Sequence, residues 1–480
     1  MSELLDLCNK AEFFRYFLEI SKIPHGSGNC GKIADYLCDF AREKGLSYYR
    51  DEADNLLITK PASKGYENRP AVIIQGHTDM VAEKTPESKR DMTKEGIEVL
   101  SSGDCLYAKD TTLGGDDGIA VAYALSILAD DSLKHPKIEA LFTSDEEIGL
   151  IGASKFDVER LTGRTLINID SEEEGIFTVG CAGGVRVDMP LLGEPDRSTG
   201  TGAYRISLSG LLGGHSGVEI HKGRANAAKL LSEILLSIGA LKLSSFCGGN
   251  MDNAIMRSAE AVFTSDLDFD VISKIASLKL QCLREEYLGK EEDITLVIEP
   301  LTGEYSVFSK EDTRRIISMI DTLPSSVVKM SENIEGLPES SANIGIVRID
   351  ASLCDSFVTA SLRSENRIGK LELQERLSEI CELFGFGMNL RGDYPGWAYK
   401  KDSPLRDAAR SLFQEKYGKE PEIVTIHAGL ECGIFSDKIE GLDCISIGPD
   451  MSGIHTTEEK LSISSSIRVY EFVCELLAKM

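Results

Sequence analysis

Short apolar runs that stop abruptly at polar residues organise the first third of the chain. Ala71 to Ile74 is one such run, followed at once by Gln75, His77 and Asp79, and it predicts a buried strand that ends in chemistry-bearing groups. Glu139 to Thr143 and Leu166 to Ile169 repeat the pattern, the first followed by Ser144, Asp145, Glu146 and Glu147, the second by Asp170. Behind the GGDDG motif, Ile119, Ala122, Leu125, Ile127 and Leu128 recur at helical spacing, which sets Asp116 just before a helix N-terminus. The last fifth reads the same way. A helix crosses Leu405 to Phe413 and closes near Gly418, strands cover Glu422 to Ile426 and Cys444 to Ile447, and an amphipathic helix runs through Ile467, Tyr470, Val473 and Leu477. His455 falls in the loop before that helix.

Between these parts the pattern changes. Tyr204 to Ser209 alternates like a half-buried strand, Ala227 to Ile238 carries a helical stripe, and the same style returns with a helix over Asp312 to Ile320 and a strand over Phe357 to Leu362. No carboxylate pairs stand at strand ends here. The expected fold is therefore α/β, a mixed-sheet catalytic domain formed by 1–185 and 396–480, interrupted by an α+β lid at 186–395 that reads as two similar halves. A length of 480 residues fits, since one hydrophobic core stops growing well below that size.

A net charge of −26 argues against nucleic acid and anionic membrane surfaces as partners, because phosphate binding needs clustered cations. Glu3, Asp6, Lys10 and Glu12 interrupt the start where a signal peptide would be apolar, and no run reaches membrane-spanning length, so the expected location is cytoplasmic. The 12 cysteines contain no CxxC pair and read as reduced, buried, small residues.

Three ligand-type side chains, His77, Glu147 and Asp170, stand just beyond predicted strand ends, where open α/β sheets bind ligands. With Asp116 and His455 they make two imidazoles and three carboxylates, about what two neighbouring zinc-type ions need. Each has a plainer reading: Asp116 and Asp117 as a helix cap and first-turn charge, the glutamates as a solvated acidic loop, His455 as a loop histidine. Asp79, two residues after His77 on an extended backbone, is placed to orient the imidazole, and alternation sends Glu146 and Glu147 in different directions, one to ligate and one to act as base.

HTDM, GGDDG, the Glu146 and Glu147 pair, INIDSEEEG and the late His455 resemble metallopeptidase family M20. TLINIDSEEEGIFTVGCAGG, GLLGGHSG, YPGWAYKKDS and IHAGLECGIFSDK resemble its bacterial aminoacyl-histidine (Xaa-His, carnosinase-like) dipeptidase branch, although Asp117 stands where that branch carries asparagine. The resemblance implies a zinc-peptidase fold and a bridging Asp116, with His77 and Asp170 on one metal and Glu147 and His455 on the other. Zinc is the expected metal, with cobalt or manganese as alternatives. Asp79 would orient His77 and Glu146 would be the general acid/base, working on a hydroxide between cations about 3.5 to 4 Å apart. His215 would stabilise the oxyanion, Asn253 and Arg363 would contact the substrate, and Glu431 would lie near its amine. A small peptide is the expected substrate and a homodimer through the lid the expected assembly. The competing readings are another M20 amidohydrolase, acting on N-acyl amino acids or other dipeptides, and a non-catalytic metal-binding protein; Glu146 separates the last, since a binder needs no base.

Overall fold

The apolar runs become the parallel centre of an eight-stranded mixed sheet in the computed structural model, which describes residues 2–193, 197–331 and 336–480. The strand order is Ser47–Arg50, Leu56–Lys60, Ile138–Thr143, Val72–His77, Thr165–Asn168, Asp443–Ser446, Ile176–Cys181 and Glu422–Ile426. Val72–His77 pairs in parallel with both Ile138–Thr143 and Thr165–Asn168, in a register that sets His77 opposite Thr143 and Gln75 opposite Asn168. This register brings the carboxyl ends of three strands to one edge.

Every residue of Val72–His77 and Ile138–Thr143 is buried, so both faces of the sheet centre are covered and the strands need no alternation. Gly115–Ala129 is a helix with almost every position buried after Asp117, which is why its sequence is apolar all round. It packs against Phe13–Ile20 and against Val72–His77. Phe13 meets Tyr123 edge-on, with centroids 4.8 Å apart. Lys60 closes the helix by donating to the carbonyls of Ile127 and Asp130.

The chain divides into two compact units: Met1–Cys181 with Trp397–Thr425 and Leu430–Met480, and Ala182–Gly396 with Ile426–Gly429. The first unit leaves at Cys181 and resumes at Trp397, and these residues exchange two backbone hydrogen bonds of 2.9 and 2.8 Å. The second unit is built on a nine-stranded antiparallel sheet, in the order Thr295–Leu301, Ala203–Ser209, Ala259–Thr264, Lys242–Gly248, Pro338–Asp350, Phe357–Ser364, Gly183–Pro190 and Asn389–Tyr394, with Ser326–Met330 paired to Pro338–Asp350. Its core joins sheet residues such as Phe246 and Phe263 to helix stripes such as Leu230, Leu231 and Ile234. The helix Phe269–Glu286 buries only Ile272, Ala276, Leu280 and Leu283, one stripe at helical spacing. Among the described residues no helix is long and apolar enough to cross a membrane.

Candidate metal centre

His77 ends its strand fully buried, with Nδ1 2.9 Å from the Asp79 main-chain carbonyl and 3.4 Å from Asp79 Oδ1. The carbonyl is thus the nearer acceptor, and it fixes Nδ1 as an N–H donor. Nε2 faces Asp116 Oδ1 at 3.0 Å and Asp170 Oδ1 at 3.6 Å. The Asp79 carboxylate does something else: Oδ1 accepts Glu146 N at 2.9 Å, and Oδ2 accepts Ser27 Oγ at 2.8 Å and Glu147 N at 3.3 Å. Asp79 therefore ties the end of one strand to the glutamate pair beyond the next.

That pair sits in a turn and not on extended backbone. Asp145 has φ +53°, and the N–H groups of Gly149 and Leu150 return to the Glu146 carbonyl. The turn is held by Gly28 N on Asp145 Oδ1 at 2.7 Å. Neither Asp116 nor Asp117 caps the Gly115–Ala129 helix: the cap position is Gly114, without a side-chain bond. Asp117 is buried, accepts His77 N at 3.2 Å through Oδ2, and leaves Oδ1 without a partner among the described residues.

Asp116 divides its two oxygens. Oδ1 faces His77, while Oδ2 lies 3.1 Å from His455 Nε2, which also meets Glu147 Oε1 at 2.8 Å. His455 is half exposed and holds a left-handed φ of +61°. Three groupings of ligand atoms within 4.8 Å of one another result: His77 with Asp116 and Asp170, Asp116 with Glu147 and His455, and His77 with Glu146 and Glu147. All five expected ligands and Glu146 thus converge in the first unit.

The charges match that grouping. Burial alone would lower His77, but Asp116, Asp170 and Asp79 outweigh it and hold the imidazole well above its ordinary value. Hydrogen bonds to Asp116 and Glu147 push His455 up to about 11. Burial raises Asp170 to about 6 and, with the charges of Asp170, Glu431 and Glu147, raises Glu146 well above the carboxylate range. Two imidazoles that draw protons from surrounding carboxylates offer their Nε2 atoms to any cation that displaces those protons. This mixed imidazole and carboxylate set, net anionic and shared through one aspartate, fits two divalent ions of the zinc class.

Glu431 lies beneath the strand ends, fully buried. Its Oε2 accepts Gln75 Nε2 at 2.5 Å and Thr143 Oγ1 at 2.6 Å, while Oε1 has no partner among the described residues. Burial raises it to about 7. Asn168 Nδ2 completes the layer on Gln75 Oε1 at 2.7 Å. Of the acids after Asp170, Glu174 is engaged elsewhere, in a fork with Arg468. Ser27 had not been singled out and Asp145 had been read only as part of the polar run after its strand, for nothing in their local pattern separates them from ordinary loop residues.

In the second unit His215 pairs with Ala254, next to Asn253, whose carbonyl accepts Ser216 N at 2.8 Å. His215 Nδ1 accepts the N–H groups of Gly217 and Val218 at 3.1 and 3.3 Å, which leaves the proton on Nε2. Arg363 is buried, donates to Tyr394 Oη at 3.0 Å, and has an Nε without a partner among the described residues. Burial, reinforced by the Arg363 charge, lowers both His215 and His427, the latter to about 3, and His427 Nε2 lies 2.7 Å from Ser341 Oγ. His427, within the IHAGLECG run, had not been singled out.

Comparison with known proteins places the chain among peptidases. Residues 73–479 match the model of peptidase family M20/M25/M40. The chain is 35% identical over 485 residues to the cytosol non-specific dipeptidase of Escherichia coli (strain K12), covering 100% of this chain and 99% of that one. It superposes on the crystal structure of aminoacylhistidine dipeptidase from Vibrio alginolyticus with a TM-score of 0.89 and 34% identity, over 98% of this chain and 96% of that one. The aminopeptidase PepT of Bacillus cereus shares the fold, with a TM-score of 0.57 at 15% identity over 97% of each chain.

Proposed function

The chain belongs to peptidase family M20/M25/M40, and from that premise we propose that it is a two-metal dipeptidase acting on Xaa-His dipeptides such as carnosine. Similarity to an aminoacylhistidine dipeptidase supports the Xaa-His reading, and similarity to a dipeptidase named non-specific supports a broader dipeptide range as the second. The observation that carries the proposal is Asp116, whose two oxygens face two separate imidazoles, each with a further carboxylate beside it.

His77, Asp116 and Asp170 would hold one cation, and Asp116, Glu147 and His455 the other, with zinc favoured by the imidazole content and cobalt or manganese as alternatives. When bound, such cations polarise a carbonyl and acidify water. Glu146, beside the ligand set, is the proton carrier: as a carboxylate it takes the proton of the attacking water and returns it to the departing amine. Asp79 is the positioning group, because its carboxylate fixes the backbone of Glu146 while its carbonyl fixes the His77 tautomer. His215, with its proton on Nε2, donates to the oxyanion. Arg363 receives the substrate carboxylate through its unpaired edge, Asn253 adds a contact, and Glu431 keeps Oε1 for the substrate amine. Residues 186–395 act as a lid and dimerisation domain of a cytoplasmic homodimer.

Glu146→Ala tests the assignment. Turnover should fall by about 10²- to 10⁴-fold while both metals are retained. Retained activity, or loss of metal in parallel with turnover, overturns it.

A further inference from the structure

Glu459 is 3% exposed, and its hydrogen bonds come from four successive backbone N–H groups of the segment that carries Asp116. Oε2 accepts Leu113 N at 2.7 Å and Gly114 N at 3.1 Å; Oε1 accepts Gly115 N at 2.8 Å and Asp116 N at 3.4 Å. No cation pairs with it among the described residues. The two glycines explain how a carboxylate gets so close. Gly114 holds φ +67°, and a Cβ on Gly115 would lie 3.2 Å from Oε1.

Glu459 also closes the loop that carries His455. Thr456 N and Oγ1 donate to the Gly453 carbonyl, Glu458 N donates to Thr456 Oγ1, and Glu459 N donates to the Thr456 carbonyl. The loop is therefore held by its own bonds, with His455 near its tip, and its last residue is clamped to the Asp116 segment. One buried side chain thus links the two segments whose ligand atoms stand 3.1 Å apart, Asp116 Oδ2 and His455 Nε2.

We infer that Glu459 is a positioning residue which sets the spacing of Asp116 and His455, and through it the affinity of the metal pair. The inference rests on the two-metal reading. Outer partners that position metal-ligating residues typically change affinity about 10- to 100-fold when lost.

The test is zinc titration of the full-length, metal-free protein against a chromophoric chelator, with Glu459→Gln beside Glu139→Gln. Glu139 is an equally buried carboxylate that accepts Thr162 N and Gly163 N near the other end of the Ile138–Thr143 strand. In Glu459→Gln one amide hydrogen faces the N–H row, and at least one zinc equivalent should weaken by about 10-fold or more. Glu139→Gln should lose thermal stability yet bind zinc as the wild type does. Unchanged zinc affinity in Glu459→Gln, or equal weakening in both variants, overturns the inference. Should Glu459→Gln fail to fold, Gly115→Ala, which keeps the carboxylate but crowds it, should weaken zinc binding in the same direction, and wild-type affinity there overturns it. A wild-type protein that binds fewer than two zinc ions instead refutes the two-metal reading itself.

Discussion

Replacing Gly76 with alanine probes how strand and helix bring His77 and Asp116 together. Gly76 precedes His77, and a Cβ there would lie 2.4 Å from Ala120 Cβ and 2.5 Å from Asp117 Oδ2, both on the Gly115–Ala129 helix. An ordinary carbon contact is about 3.5 Å, so the helix must retreat by roughly 1 Å. Overpacking of this kind costs about 1–3 kcal/mol. The same retreat pulls Asp117 from His77 N and stretches the 3.0 Å approach of Asp116 to His77 Nε2. Gly76→Ala should therefore lower the thermal midpoint of the metal-free protein by several degrees and weaken zinc about 10-fold or more. Gly418→Ala is the control: its φ is +68°, a Cβ there meets nothing within 4 Å, and it should cost about 1–2 kcal/mol of backbone strain without touching zinc affinity. A Gly76→Ala protein that melts and binds zinc like the wild type would refute the reasoning, because the close strand-helix approach would then not set the site.

Two further outcomes follow from the second unit. His427 is held neutral at about 3 against an ordinary 6.5, so on acidification the unfolded chain takes up the proton first; this contribution is complete above about pH 6.5 and is lost progressively toward pH 3. In urea unfolding from pH 7 to 5, the stability gap between wild type and His427→Gln should narrow, and parallel curves would contradict the shift. Mixing inactive His215→Ala with inactive Glu146→Ala under proven subunit exchange should restore activity if each site draws His215 from a partner, whereas no recovery would argue for a self-contained chain.

The strand ends were legible because burial on both faces leaves an uninterrupted apolar run, and the switch to His77, Glu146 or Asp170 marks where the sheet stops. Helices with one buried stripe, such as Ala227–Ile238, were legible for the same reason of periodicity. Pro338–Asp350 was not, since its buried positions include Glu339, Ser340, Ser341 and Asn343, which look like loop residues until their partners are known. The turn that carries Glu146 and Glu147 begins at the left-handed Asp145, a backbone state that Asp-Glu-Glu does not announce. Glu459 was hidden by distance, because its donors lie more than 340 positions earlier in the chain. Local pattern reports periodicity and punctuation, whereas the support of a metal site is assembled from tertiary contacts.

The central claim, that Asp116 joins two cations into one dipeptide-hydrolysing centre, is tested most directly by metal counting coupled to assay. The metal-free protein, reconstituted with zinc, should hold two ions per chain, hydrolyse carnosine and other Xaa-His dipeptides, and lose that activity on chelation. Asp116→Ala should forfeit both ions together. A protein that binds two ions but cleaves no dipeptide, or an Asp116→Ala variant that keeps them, would contradict the account.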